Sequence, residues 1–486
     1  MNRKLILRLL GAILSIEAIS MIPSMLIALK NGDGDFPVLA WCFAGTFIVG
    51  TLIWFLVRPG RGTQLRMKEG FLVVGLGWLE LSAVGALPFY FSGYYPSYVD
   101  ALFEAVSGFT TTGATVLTKF EGFPRGIMFW RATTHWIGGM GVLVLTLALI
   151  PKLTGRTSHL VLAESPGPSL SKLVPHTGTT AKILYLIYMA LTLMEFLALL
   201  LCGLSPYDAA LHALSNAGTG GFSNYGASIA AFNSLAVEIV ITVFMFLFGV
   251  NFALYYKFLI AGPKAKLTVF FRDEEFRWYA GIILAFILLL TIFNTDFYRG
   301  DFWTSLRYSS FQICTVFSTT GFCTGDFAAW SIQSRMLLFA GMFIGACAGS
   351  TAGGIKIVRI ALLTKLFRRS IRATGHPRKV EVVRLDGKAV DERMVSNVVV
   401  FALIYVVLFL LGSFLLSLEG VGDEITSLSA ALTCVSNIGP GFGLVTSSFT
   451  CYGVFGKLIC CFLMLAGRLE LLPMLMLLTR GAWTRS

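Results

Sequence analysis

Long apolar runs recur along this chain, separated by short polar segments, and each is long enough to cross a bilayer as a helix of about 20 residues. They are Leu5–Leu29, Val38–Val57, Phe71–Phe91, Met128–Ile150, Ile183–Gly203, Leu235–Ile260, Trp278–Phe293, Arg335–Leu363, Val395–Leu418 and Tyr452–Leu478. After the opening two, the runs fall into pairs, and inside each pair lies a shorter helical stretch: Tyr98–Phe109, Pro206–Ala217, Phe302–Phe317 and Glu424–Val435. These are too short to span. Each leads into a small polar turn ending on glycine and then into a polar return, the pattern of a helix that enters the membrane, stops at mid-depth and comes back as extended chain. Non-helical backbone is tolerated there only if it is buried in protein or faces water. The pattern predicts an all-α polytopic membrane protein. Two N-terminal helices (residues 1–60) precede four pseudo-repeats of helix–pore loop–helix around one central pore, at 61–155, 156–265, 266–375 and 376–486.

The repeats align on nine-residue segments that begin at Ala105, Ala213, Ile313 and Ala431. All four carry Ser or Thr at the third place (Ser107, Ser215, Thr315, Thr433) and glycine at the ninth (Gly113, Gly221, Gly321, Gly439). The fourth departs most, with Asn437-Ile438 where others have Thr or Gly. A dehydrated monovalent cation needs several oxygen ligands, and extended backbone with inward carbonyls supplies them. None of the turns holds a carboxylate, which disfavours a divalent ion. Close helix packing through glycine is the alternative for any single turn.

Composition fits a membrane protein: 56% of residues are hydrophobic and 13% charged, against about 25% charged in soluble domains, and mean hydropathy is +0.77. The opening Met-Asn-Arg-Lys and apolar run could imitate a signal peptide; without a small-residue cleavage site it reads as a retained first helix. The net charge of +12 does not point to nucleic acid, because the basic residues gather in alternate loops. Between Lys356 and Arg393 lie eleven Lys and Arg against four Asp and Glu. Basic loops mark the cytoplasmic side, which puts both termini inside. Within that stretch Asp386-Gly387, flanked by alternating apolar residues, predicts a hairpin, either a docking surface or lipid-facing charge. The histidines (His135, His159, His176, His212, His376) are scattered, so no metal or catalytic cluster is expected and the chain reads as a transporter rather than an enzyme. Cys323 and Cys451 fall near the predicted outer face, where a disulfide is open to them.

The run Arg335–Leu363 is interrupted by Gly341, Gly345, Gly349, Gly353 and Gly354, with Ser350 and Thr351 between them. Glycine disfavours continuous helix, so this segment is expected to unwind and form a gate below the third turn, unless its small residues serve close packing. Arg468 lies in the last run. A charge at that depth faces a bundle interior or cavity, where it can donate to gate carbonyls, pair with Glu470 or reach the inner surface. Glu80, Glu195 and Glu238 leave proton coupling open, and Arg131 and His135 receive no role.

The four glycine turns, the two extra N-terminal helices and the segment from Gly345 to Gly354 resemble the Trk/Ktr/HKT superfamily of K⁺ transporters, most closely its bacterial TrkH type. The resemblance implies K⁺ held by carbonyls at Thr111, Thr112, Thr219, Gly220, Thr319, Thr320, Asn437 and Ile438, with Gly113, Gly221, Gly321 and Gly439 as filter glycines. It implies a gate of Gly345, Gly349, Ser350, Thr351, Gly353 and Gly354 with Arg468 beside it. It also implies a homodimer in the bacterial inner membrane, served by cytosolic TrkA-type nucleotide-binding subunits. The chain itself has no Walker A sequence or dinucleotide fingerprint, so no organic cofactor is expected in it. H⁺- or Na⁺-coupled symport on the same scaffold is the alternative to a channel-like path.

Overall fold

The computed structural model describes residues 2–58, 60, 67–141, 177–262, 266–375 and 381–479. In chain order the helices are α1 (Arg3–Ser20), α2 (Ile22–Asn31), α3 (Phe36–Leu56), α4 (Met67–Gly85), α5 (Leu87–Phe91), α6 (Tyr98–Phe109), α7 (Arg125–Met140), α8 (Thr177–Leu201), α9 (Pro206–Ala217), α10 (Leu235–Phe248), α11 (Phe252–Ile260), α12 (Lys266–Arg272), α13 (Glu274–Asn294), α14 (Phe302–Phe317), α15 (Ile332–Gly341) and α16 (Ile357–Gly375). A hairpin of β1 (Arg384–Leu385) and β2 (Lys388–Ala389) follows, then α17 (Glu392–Ser417), α18 (Glu424–Ser436), α19 (Val454–Arg468) and α20 (Leu472–Leu477). Among the described residues six helices are long and apolar enough to cross a membrane, or seven if the bent pair α10/α11 counts as one span.

Small residues let the opening helices cross closely, as they do in membrane bundles. A methyl group on Gly50 would lie 2.9 Å from the Gly11 carbonyl oxygen and 2.7 Å from Ser15 Oγ, so α1 and α3 pack backbone to backbone. The short helices α6, α9, α14 and α18 each begin on a side-chain cap, at Ser97, Ser205, Asp301 and Asp423, which satisfies amides that the first turn leaves free. Their far ends are buried. α6 packs on α7 and α19, α9 on α7, and α14 on α10.

Three expected spans are not continuous helices as expected. Leu235–Ile260 bends by 89°: α10 stops at Gly249, and Asn251 starts α11 by accepting from the Ala253 amide at 2.9 Å. Tyr452–Leu478 ends as α19 at Arg468; Glu470 and Leu471 take φ of 51° and 70°, and a proline in the first turn of α20 starts the next helix. In the Met128–Ile150 run, α7 ends at Met140 with Gly141 at φ 81°; the rest of that run lies outside the described residues. The Arg335–Leu363 run is interrupted between α15 and α16, as its glycines suggest. The Asp386-Gly387 hairpin pairs Arg384 with Ala389 and Leu385 with Lys388, and both turn residues have positive φ (49° and 77°), as a two-residue turn of this twist requires. The nine cysteines, Cys323 and Cys451 among them, are free thiols.

A candidate cation-selective ring and the loop behind it

The four short helices end in the same way. The seventh residue of each segment (Thr111, Thr219, Thr319, Asn437) is left-handed, with φ of 55°, 55°, 56° and 56°. The amide of the eighth residue bonds back to the carbonyl of the third: Thr112 to Ser107, Gly220 to Ser215, Thr320 to Thr315 and Ile438 to Thr433, at 2.9 Å in every case. This is the Schellman closure of a helix C-terminus. Glycine is its usual left-handed residue; Thr there is strained, a state that costs of order 1–3 kcal/mol and persists only where the surroundings hold it. The closure turns the chain off the helix axis, so that the eighth and ninth residues leave the helix.

The ninth residues then bring the four turns together. Gly113, Gly221, Gly321 and Gly439 have φ of 80°, 74°, 82° and 97°. A Cβ on Gly113 would overlap the carbonyl oxygen of Gly220; on Gly221, that of Thr320; on Gly321, that of Ile438; on Gly439, that of Thr112. The series closes, first turn to second, second to third, third to fourth and fourth to first. The Gly113 position also lies 3.8 Å from the Thr320 oxygen on the third turn. Four eighth-residue carbonyls therefore stand around one narrow ring, each against the preceding turn's glycine. Glycine is required twice at this place, for its positive φ and for the close approach.

Side chains hold the ring from behind. Thr110 and Thr112 share a hydroxyl bond of 2.8 Å, and Ser318 and Thr320 one of 2.7 Å. Asn437 donates to Thr112 Oγ1 (3.0 Å) and to the Met464 carbonyl (2.9 Å). The second turn lacks such hydroxyls, having Gly218 and Gly220, because His135 occupies their space. A Cβ on Gly220 would enter the His135 ring, and one on Gly218 would overlap the His135 carbonyl. The ring is buried and stacks on Phe222 at 4.0 Å. Gly220 has no positive φ, and the nearest obstacle to a side chain there is the His135 ring. Gly220→Ala should thus lower the unfolding temperature of the detergent-solubilised protein, with overpacking worth about 1–3 kcal/mol. Adding His135→Ala should recover part of the loss; two penalties that simply add would contradict the contact.

The segment between α15 and α16 packs against the third and fourth turns of this ring. The Gly353 amide donates to Thr319 Oγ1 at 2.7 Å, and a Cβ on Gly353 would overlap the Ser436 carbonyl. Gly345 donates to Ile355 O (2.9 Å) and abuts Gly353 and Gly354. Gly349, at φ 69°, accepts from the Phe252 amide at 3.1 Å. Ser350 Oγ bonds Cys347 O at 2.6 Å, and Thr351 Oγ1 bonds Phe248 O at 3.3 Å. Cys347 N bonds Gly249 O at 3.0 Å, and Glu275 Oε1 takes the Ala348 amide at 2.6 Å. The break between α10 and α11, which sequence reasoning missed, is thus one anchor of this loop.

Arg468 is the other. Its Nη1 donates to Thr351 O at 2.6 Å, and its Nη2 to Gly138 O and Gly139 O at 2.5 and 2.6 Å. Glu470, its alternative partner in the sequence, pairs with Arg359 instead. Of the acidic residues left open, Glu238 pairs with Arg307 at 2.6 Å, Glu195 accepts from Asn216 at 2.6 Å, and Glu80 lies on α4. Arg131 and Glu104 form a buried pair whose place is taken up below. The signal for it is a charge on each of two apolar helices, but no local pattern pairs them.

Known proteins resemble this chain along nearly its whole length. The family model described as TrkH, cation transport protein, matches residues 37–481. The chain is 36% identical over 487 residues to the Trk system potassium uptake protein TrkH of Salmonella typhimurium, covering 99% of this chain and 100% of that one. It is 32% identical to the Trk system potassium uptake protein TrkG of Escherichia coli, over 99% and 98% of the two chains. The crystal structure of the potassium transporter TrkH from Vibrio parahaemolyticus superimposes with a TM-score of 0.90 at 32% identity, covering all of both chains. These relatives are named as transport proteins, not enzymes. On full-length similarity and shared fold, the chain belongs to the TrkH family of membrane cation transport proteins.

Proposed function

We propose that this chain is the membrane subunit of a K⁺ uptake system in the bacterial inner membrane, with ten spans, both termini cytoplasmic and four pseudo-repeats around one pore. The observation that carries the reading is the closed ring in which each turn's glycine abuts the next turn's eighth-residue carbonyl. A K⁺ ion entering from outside exchanges water for the carbonyls of Thr112, Gly220, Thr320 and Ile438, joined by those of Thr111, Thr219, Thr319 and Asn437. The four short helices point their partly negative C-terminal ends at the same place, which favours a cation. The membrane potential drives entry, about 2.3 kcal/mol per charge per 100 mV.

In this reading the segment from Gly345 to Gly354 closes the path below the ring, and Arg468 holds it shut while adding a positive charge to the inner route. Opening requires the loop to leave Thr319 and Arg468. The trigger is cytosolic: TrkA-type nucleotide-binding subunits acting on a homodimer of this chain. The Asp386-Gly387 hairpin suits docking because it is held against α13, with Glu274 N donating to Asp386 Oδ1 at 2.8 Å and Asp386 N donating to Glu274 Oε2 at 3.0 Å.

The test is ion flux into liposomes holding the purified protein, alone and with its cytosolic partner and nucleotide. K⁺ flux exceeding Na⁺ flux, and rising with the partner, is the expected result. Flux that fails under every condition would sink the proposal. A steep dependence on external pH at fixed voltage would instead assign coupled symport.

A further inference from the structure

The outer strands that leave the ring are held unequally, and the inequality points to two residues with no role so far. Glu104 lies one place before the first nine-residue segment, on α6, and Arg131 lies on α7; both side chains are buried, at 0% and 2% exposure. Arg131 Nη2 reaches Glu104 Oε1 at 2.6 Å and its Nε donates to the same oxygen at 2.8 Å. Glu104 also accepts from Thr115 Oγ1 at 2.9 Å and from the Val116 amide at 3.1 Å. Thr115 is two residues past Gly113, so the carboxylate grips the outer strand of the first turn.

Arg131 carries the grip to the second turn. Its Nη1 donates to the carbonyl of Ser223, two residues past Gly221, at 3.2 Å. Its guanidinium lies 3.9 Å from the ring centre of Phe222, the residue between. Ser223 continues the chain of bonds, because its hydroxyl meets His212 Nε2 at 3.0 Å while His212 Nδ1 meets the Asp208 carbonyl at 2.8 Å. A carbonyl only accepts, so Nδ1 bears the proton and Nε2 accepts from Ser223. The fourth turn joins through Thr115, whose carbonyl accepts from the Phe449 amide at 2.8 Å. One buried ion pair thus ties the outer strands of three turns.

We propose that Glu104 and Arg131 are positioning residues for ion selection: the pair sets the spacing of the first, second and fourth turns, and so how closely their carbonyls can follow a smaller ion. This rests on the filter reading above. A ring of carbonyls discriminates between K⁺ and Na⁺ by the number and placement of its oxygens, and both depend on strands that cannot splay. An ion pair suits the task because removal of one buried partner leaves an uncompensated charge, which favours one geometry strongly.

The decisive variant is the neutral pair Glu104→Gln/Arg131→Gln, which removes both charges together and so leaves neither buried charge uncompensated. Its control is Glu238→Gln/Arg307→Gln, an ion pair between α10 and α14 at 2.6 Å that touches no outer strand. Each protein is checked for a single folded peak, then reconstituted for K⁺ and Na⁺ flux. The first variant should lose about fivefold or more of the K⁺ over Na⁺ preference, about 1 kcal/mol, while the control keeps the original ratio whatever it loses in stability. Should the neutral pair not fold, Thr115→Val removes only the hydroxyl at the junction and should shift the ratio in the same direction. A folded variant of either kind with an unchanged ratio overturns the inference. An original protein that does not prefer K⁺ overturns the filter reading itself, so the two failures are distinct.

Discussion

Replacing Gly113 by serine should erase most of the preference for K⁺ over Na⁺ while leaving the protein able to fold. The new Cβ meets two obstacles. The φ of 80° at this position is one that side chains rarely adopt, and the Gly220 carbonyl oxygen stands where the Cβ must go. Either the first turn rotates or the second is pushed outward, and in both cases one of the carbonyls that face the ion moves. Losing one charge-assisted contact is worth about 1.5–3 kcal/mol, and about 1.4 kcal/mol already corresponds to tenfold. The flux ratio in liposomes should therefore fall by about tenfold or more. The turn sits at a buried helix end whose Schellman bonds do not involve the Gly113 amide, so the helix closure itself survives. The closed ring also predicts that Gly221→Ser, Gly321→Ser and Gly439→Ser lose selectivity likewise, since each glycine abuts its neighbour's carbonyl. One of these variants with the original ratio would remove that turn from the ring.

The second large effect belongs to Arg468. Replacing it by glutamine should raise K⁺ flux in the absence of the cytosolic partner. The guanidinium makes three bonds to backbone carbonyls, one on the Gly345–Gly354 segment and two at the end of α7. It therefore ties that segment to α7. Losing even one such bond, at about 1.5–3 kcal/mol, shifts a closed-to-open balance by about tenfold to a hundredfold. Loss of the positive charge lowers the barrier to a cation on the inner route, so both effects act in the same direction. Arg468→Lys keeps the charge but cannot span three carbonyls at once, and its basal flux should fall between the two. Partner-free flux unchanged in folded Arg468→Gln would show that this residue does not hold the loop closed.

Much of this could be seen in the chain before its structure, and what could not has a physical reason. The helices expected at Tyr98–Phe109, Pro206–Ala217 and Phe302–Phe317 occur with those bounds, and the fourth runs one residue further, to Ser436. Short apolar helices flanked by capping residues and glycine turns carry strong local signals. The hairpin at Asp386-Gly387 and the interruption between α15 and α16 were legible on the same grounds, since turn chemistry and a cluster of glycines act locally. The break at Gly249 was not, because one glycine in an apolar run does not lower its hydropathy enough to stand out. The break after Arg468 had a signal in Pro473, which the continuous apolar count overrode.

Equal spacing predicts four turns around one pore, and the family resemblance implies their carbonyls as ligands, but neither says which groups touch. That each glycine touches the next turn's carbonyl depends on how four distant segments meet, which no local pattern contains. The same holds for His135, whose ring explains why the second turn has Gly218 and Gly220 where the first has Thr110 and Thr112. It holds for Glu104 and Arg131, which lie 27 residues apart on separate helices. Residues that act by contact with their own neighbours in sequence were readable; of those that act across the bundle, Arg468 stood out by its charge in an apolar run, and Glu104, Arg131 and His135 did not.

The central claim is that four turns make one site for one cation. The most direct measurement is diffraction from crystals grown with Rb⁺ in place of K⁺, at the Rb⁺ absorption edge. The account predicts an anomalous peak on the axis of the ring, within coordinating reach of the carbonyls of Thr112, Gly220, Thr320 and Ile438. Well-ordered turns with no peak there, or a peak bound elsewhere in the bundle, would contradict it.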